Sequence, residues 1–292
     1  MFKKENRIGI PGIILRILII LLAAGMFGYA AWQMFGYVSE NRESDESRDN
    51  LADKAVTILI PETSSSPLSG STAETDPDFG SVSSETSPDL SRTIPIWVDF
   101  DILQEEHPDI IAWIYCPNTP INYPIVQGDN NQYYVSHMPD GKYNAAGSIF
   151  LDFRNSGDLT DLNSLIYGHN MTNNAMFASL NKYKKQSYYD EHPIIWIVTR
   201  EVAYRIDLIG GCVTAADSDA YTIFSTEEQL AAYLQKLPGR STFTSAVDME
   251  TVTRIVTLST CSYEYNAARY IVIGSMVPIE YPADIHTQTA KN

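Results

Sequence analysis

Apolar residues divide the chain into three stretches. Residues 17–38 contain no charged side chain, and at ~1.5 Å per residue a helix of that length reaches ~33 Å, enough for a bilayer core of ~30 Å. Residues 39–93 are polar and acidic, and within them residues 62–93 hold ten Ser, five Thr and three Pro. So little apolar surface cannot offset the entropy of ordering, which predicts a disordered stalk over 39–93. The patch Val56-Thr57-Ile58-Leu59-Ile60 within it reads as a local strand or a docking segment.

A folded domain is predicted over 94–292. Residues 98–114 have helix-like spacing, with Asp99 as N-cap and Pro108 as an interruption, so one broken helix or two short ones open the domain. Short runs rich in β-branched and aromatic residues follow at 111–115, 123–127, 147–152, 164–167, 194–199, 203–214, 255–259 and 270–277. Eight such runs separated by turn residues predict a mainly β fold, a closed or nearly closed barrel. One helix falls in the long connection before the seventh run. Ser225-Thr226-Glu227-Glu228 reads as a capping box ahead of Leu230, Tyr233, Leu234 and Leu237, and Pro238-Gly239 closes the helix.

Charge orients this layout. The net charge is -16, yet Lys3, Lys4, Arg7 and Arg16 precede the apolar stretch while Glu40, Glu43, Asp45 and Glu46 follow it. The positive-inside bias therefore predicts a single-pass membrane protein with its N-terminus in the cytoplasm and its folded domain outside. Tyr29, Trp32 and Tyr37 suit the outer interface. The alternative is a cleaved signal peptide ending near Gly28 and Ala30; the apolar stretch outlasts an ordinary signal core, which favours an uncleaved anchor. No cluster of Lys and Arg exists to grip nucleic acid.

Candidate chemistry concentrates in the last two runs. Ile255-Val256-Thr257-Leu258-Ser259-Thr260-Cys261 is followed by a polar loop, then by Arg269 at the head of Tyr270-Ile271-Val272-Ile273-Gly274. An antiparallel pair would bring the Cys261 thiol and the Arg269 guanidinium to one sheet edge, where the cation favours a thiolate or holds an oxyanion. A cysteine nucleophile also needs an acid/base partner. Of the five histidines, His107 and His192 precede prolines in charged surroundings, His137 lies in a turn context and His286 in a polar tail. His169 instead follows Ser164-Leu165-Ile166-Tyr167-Gly168, at the tip of a strand, where a general acid or base can be held rigidly. Cys116 and Cys212 read as small buried residues with no disulfide needed. No His/Cys pair has metal-ligand spacing, so neither metal nor cofactor is expected.

Thr257-Leu258-Ser259-Thr260-Cys261, Ile166-Tyr167-Gly168-His169-Asn170-Met171 and Arg269 together resemble the signature pieces of sortases, cysteine transpeptidases of Gram-positive cell surfaces. Gly128-Asp129-Asn130-Asn131-Gln132-Tyr133-Tyr134, Ala146-Gly147-Ser148-Ile149-Phe150-Leu151-Asp152-Phe153-Arg154-Asn155 and Met176-Phe177-Ala178-Ser179-Leu180 resemble class B members in order and spacing, and the likeness covers residues 94–281. It implies an eight-stranded sortase barrel with catalytic Cys261, His169 and Arg269. The implied reaction cleaves a C-terminal sorting signal of a secreted protein after Thr, through a thioacyl intermediate, and transfers the protein to a peptidoglycan or lipid-linked precursor amine. Asn131, Val135, Tyr221, Thr222, Ser259, Thr260 and Glu264 are the implied substrate-binding residues, with Glu264 placed to orient Arg269 or His169. The Cys261–Arg269 spacing is short for the class. A hydrolytic cysteine peptidase and a non-catalytic membrane-tethered binding module are the alternatives; the position of Cys261 at the end of a late strand, and not at a helix start near the mature N-terminus, disfavours a papain-like enzyme.

Overall fold

The computed structural model describes residues 10–59 and 94–281. The chain divides into two compact units, Met1–Ser47 and Arg48–Asn292. A single helix, α1 (Ile10–Ala55), runs through the first and into the second. It is the one helix among the described residues long and apolar enough to cross a membrane.

All eight predicted β runs form strands, and they close into a barrel. In chain order the strands are β3 (Ile110–Tyr115), β4 (Asn122–Val126), β5 (Ile149–Leu151), β6 (Asn163–Tyr167), β7 (Ile194–Thr199), β8 (Ala203–Ala215), β9 (Ile255–Cys261) and β10 (Ala268–Ile279). Around the barrel the order is β10-β8-β7-β3-β4-β5-β6-β9, with β9 pairing β10 to complete it. Two neighbours, β4–β5 and β6–β9, are parallel and the others antiparallel. Alternation along each strand sends Ile114, Ile125, Ile149, Ile166, Ile197, Ile206, Leu258 and Val272 into one buried core. A second cluster, beneath α4 (Glu227–Leu234), joins Leu230, Leu234 and Leu237 to the outward-facing Ile255, Ile271 and Ile273.

The start of the folded unit departs from the sequence reading. The expectation of disorder over 39–93 is corrected at its N-terminal end: α1 continues to Ala55, and β1 (Val56–Ile58) pairs antiparallel with β2 (Ile96–Val98). Leu51 and Ala55 are buried against Ile96, Val98, Leu103, Trp113 and Trp196, so this segment belongs to the folded unit and the domain does not begin at Ile94. The cause is a short apolar stripe embedded in acidic sequence, which whole-segment composition averages away. Residues 60–93 and His286 lie outside the described residues.

Two helix readings shift as well. The predicted helix over 98–114 is α2 (Phe100–Glu106) alone, capped by Asp99, whose carboxylate accepts from the Asp101 and Ile102 amides at 3.0 and 3.2 Å. Past Pro108 the apolar residues enter β3. The capping box lies one residue later than read: Thr226 is the N-cap, and the Gln229 side chain returns a bond from the Ser225 amide at 3.0 Å. A 3-10 helix (Ala178–Lys184) and α3 (Gln186–Glu191) were not foreseen.

Candidate active site

The site is made where three adjacent strands end. On one flank of β9 the parallel ladder with β6 pairs Tyr167 with Ser259, and the Gly168 amide extends it by donating to the Ser259 carbonyl at 3.1 Å. Two residues beyond that pair stand His169 and Cys261. On the other flank, Cys261 is the direct antiparallel partner of Arg269. The thiol thus occupies the middle strand, with an imidazole on one neighbour and a guanidinium on the other. Cys261 is half-buried, whereas Cys116 and Cys212 are buried and free.

Packing fixes the histidine's turn. The Phe177 amide donates to the His169 carbonyl at 2.9 Å, and Asn170 Nδ2 donates to the Cys261 carbonyl at 2.9 Å. A Cβ on Gly168 would stand 2.4 Å from Ile149 Cδ1 and 2.8 Å from the Phe177 ring, so only glycine lets the strand end pass this close to β5. His169 Nε2 lies 2.8 Å from the Val135 carbonyl oxygen. Arg269 leans on the β9–β10 turn, donating to the Ala268 and Ala267 carbonyls at 3.1 and 3.3 Å.

Arg269 also lines an open groove of about 520 Å³, together with Asn131, Phe150, Asp152, Arg154, Tyr167, Tyr221, Thr222 and the loop from Ala216 to Ser218. Its floor is a buried carboxylate. Asp152 accepts from Arg154 Nε and Nη2 at 2.8 Å each, from Tyr167 Oη at 2.9 Å and from Asn131 Nδ2 at 3.0 Å. Burial would raise this carboxyl, but the donors, Arg154 foremost, outweigh it and hold its pKa at about 2. Over the floor, Tyr167 and Tyr221 stack at 6.1 Å, and Tyr221 Oη meets Ser259 Oγ at 2.8 Å.

A model of the sortase domain matches residues 114–277, and the sortase B of Listeria monocytogenes is 36% identical over 180 residues, covering 60% of this chain and 72% of that one. The chain belongs to the sortase family. Among solved structures, a Staphylococcus aureus sortase B–substrate complex superposes with a TM-score of 0.58 at 30% identity, covering 62% of this chain and 85% of that one. A sortase B complexed with triglycine gives the same TM-score and identity, over 62% of this chain and 86% of that one. The class B resemblance and the eight-stranded sortase barrel are both borne out, and the sortase is a cysteine transpeptidase of the class that anchors proteins to the cell wall.

The groove gathers some of the expected binding residues and not others. Asn131, Tyr221 and Thr222 line it, and Ser259 touches it through Tyr221. Val135 is 40% exposed beside His169, which removes any core role. Thr260 is placed elsewhere: it alternates with Cys261 onto the inner barrel face, opposite Tyr270, and is 2% exposed with its Oγ1 lacking a partner. Glu264 does not reach Arg269 or His169. It pairs with Lys184 at 2.5 Å and accepts from Ser262, because the turn after β9 folds back onto the 3-10 helix; Lys184 holds the Glu264 pKa at about 2, with Ser262 assisting. Asp152, Arg154 and Tyr167 were missed as groove residues. The Asp152-Phe153-Arg154 spacing, which lets the Arg154 guanidinium fold back onto the Asp152 carboxylate across the turn after β5, was the available signal.

Proposed function

We propose that this sortase is membrane-anchored and that Cys261 is its nucleophile, His169 its general acid and base, and Arg269 the cation at its oxyanion. The observation that carries the proposal is the juxtaposition of these residues at the ends of β6, β9 and β10. Cys261 sulfur attacks the carbonyl carbon of a Thr in the sorting signal of a secreted protein, and the Arg269 guanidinium meets the charge that gathers on oxygen. The C–N bond then breaks, His169 protonates the departing amine, and the protein is left as a thioester on Cys261. An incoming amine gives its proton to His169, attacks the thioester and restores the thiol.

Asn131, Tyr221 and Thr222 read the signal along the groove, with Val135 and Ser259 at its margin. Thr260 and Glu264 act indirectly, behind the nucleophile and under the following turn. The acceptor is a peptidoglycan amine; the oligoglycine bound to a related sortase B makes triglycine the first acceptor to try. Residues 17–38 form the anchor, with the N-terminus in the cytoplasm and the catalytic unit outside.

The test uses the full chain in detergent micelles, Thr-containing pentapeptides with C-terminal extensions, triglycine and mass spectrometry. Cys261→Ala abolishes the thioacyl adduct, His169→Ala lowers turnover by the ~10²–10⁴-fold typical of a lost general acid/base, and Arg269→Ala does comparable damage. Transpeptidation surviving in Cys261→Ala ends the proposal.

A further inference from the structure

His169 carries a single hydrogen bond from its ring among the described residues, and the partner is backbone: Nε2 stands 2.8 Å from the Val135 carbonyl oxygen. A carbonyl only accepts, so the ring nitrogen facing it must bear the proton. No carboxylate pairs with this imidazole among the described residues, although a third group that orients the base is a general need of nucleophile–base pairs.

The carbonyl is held in place by a built frame. Ser148 N donates to the adjoining Tyr134 carbonyl at 2.9 Å, Asn144 N to the Ser136 carbonyl at 3.0 Å, and Ser148 Oγ to the His137 carbonyl at 2.8 Å. Gly147 closes the frame from below. Its φ is +59°, and a Cβ there would lie 2.5 Å from the Val135 oxygen and 2.6 Å from the Tyr134 oxygen. Backbone against backbone leaves no flexible side chain to move aside. Val135 as a residue is 40% exposed, and what the frame fixes is its carbonyl.

We infer that the Val135 carbonyl, seated by Gly147, orients His169 by accepting its Nε2–H and so leaves Nδ1 to exchange the proton with Cys261 and with both amines. The inference rests on the proposed acid/base role of His169. When Cys261 attacks, the thiol proton moves to Nδ1 and the imidazolium keeps Nε2–H on the carbonyl, a bond that strengthens as the ring becomes charged. The Nδ1 proton then passes to the leaving amine as the C–N bond breaks, and Nδ1 takes a proton back from the acceptor amine. Gly147 is a positioning residue, acting through a peptide oxygen it never lets shift.

The deciding measurement is the nitrogen spectrum of ¹⁵N-histidine-labelled full chain in detergent micelles, with the His169 signals identified by their loss in His169→Ala. In the neutral ring, Nε2 should carry the proton and Nδ1 should be bare; a neutral His169 protonated at Nδ1 overturns the inference. This readout needs no turnover, so it stands apart from the acid/base role of His169, whose failure would show instead as turnover retained in His169→Ala. Gly147→Ala supplies the second arm. It should introduce the other tautomer and lower kcat ~10–100-fold, in keeping with the cost of an ångström-scale misplacement, with KM moved less than about threefold and no further loss when combined with His169→Ala. An unchanged tautomer in Gly147→Ala, or a loss that multiplies with that of His169→Ala, also overturns it. Should Gly147→Ala not fold, the wild-type spectrum decides alone.

Discussion

The side-chain amide of Asn170 donates to the backbone carbonyl of Cys261 at 2.9 Å. Asn170 follows His169 directly, so this bond ties the histidine's turn to the peptide unit of Cys261 just where the β6–β9 ladder has run out. Asn181 reaches the same oxygen less closely, at 3.4 Å. Asn170→Ala should therefore cost about 1 kcal/mol of stability, the usual net worth of one hydrogen bond, and about tenfold in kcat through a loosened pair. Thermal unfolding and steady-state kinetics on one preparation separate the two effects. Unchanged kcat would mean that the ladder alone holds the pair in register.

Gly168 is the second lever on that pair. Its missing Cβ would collide with Ile149 and the Phe177 ring, both buried side chains. Gly168→Ala should thus destabilise by about 1–3 kcal/mol, the range for overpacking a core, and displace His169 along with the strand end. Small-to-large change here should depress kcat at temperatures well below the melting transition. A variant that melts early yet turns over normally in the cold would separate the packing of Gly168 from the placement of the imidazole.

The barrel was legible because its strands are short, β-branched and separated by turns, and all eight runs became strands within a few residues of the reading. Cys261 opposite Arg269 was equally legible, since two strands joined by a short loop have little choice but to pair end to end. What escaped depends on three dimensions. Thr260 sits beside Cys261 in sequence but faces the opposite side of the sheet, and Glu264 is captured by Lys184, 80 residues away. The helix cap slipped by one because Ser225 and Thr226 both qualify, and only Gln229 reaching back to Ser225 decides between them. Leu51 and Ala55 went unread because nothing in the acidic segment around them announces β2 and Trp113 as partners.

Asp152 gives the sortase a specific acid sensitivity. Its folded-state pKa of about 2 lies below the ordinary carboxyl value, so the stabilisation is fully present above the unfolded value near 4 and is lost as pH falls toward 2. That contribution is about 2 kcal/mol at neutral pH. Denaturant unfolding followed from pH 7 to pH 2.5 should show the wild type losing more stability below pH 4 than Asp152→Asn. Parallel curves for the two proteins would show that the surrounding donors do not favour the ionised carboxylate. At neutral pH the same variant should raise KM for peptide substrate, because Asn131, Arg154 and Tyr167 all lean on this carboxylate in the groove floor.

The ordered segment before β2 makes the last expectation, and it sets the shortest competent chain. Leu51 and Ala55 are buried, the Asp99 amide donates to the Ala55 carbonyl at 2.8 Å, β1 pairs with β2, and Arg48 Nη1 donates to Tyr123 Oη at 3.1 Å. The exposed Lys54–Glu106 pair adds little. Removing residues 1–47 should leave the catalytic unit's melting temperature and its peptide transpeptidation near those of the full chain. Removing residues 1–93 strips away the Leu51 side chain, worth about 1.5–3 kcal/mol of burial on its own, and exposes Ile96, Val98 and Leu103. The longer deletion should therefore be less stable by about 2–4 kcal/mol and more prone to aggregate, with activity per folded molecule little changed because the lost contacts lie outside the groove. Equal melting temperatures for the two truncated chains would show that the segment rests on the barrel without stabilising it.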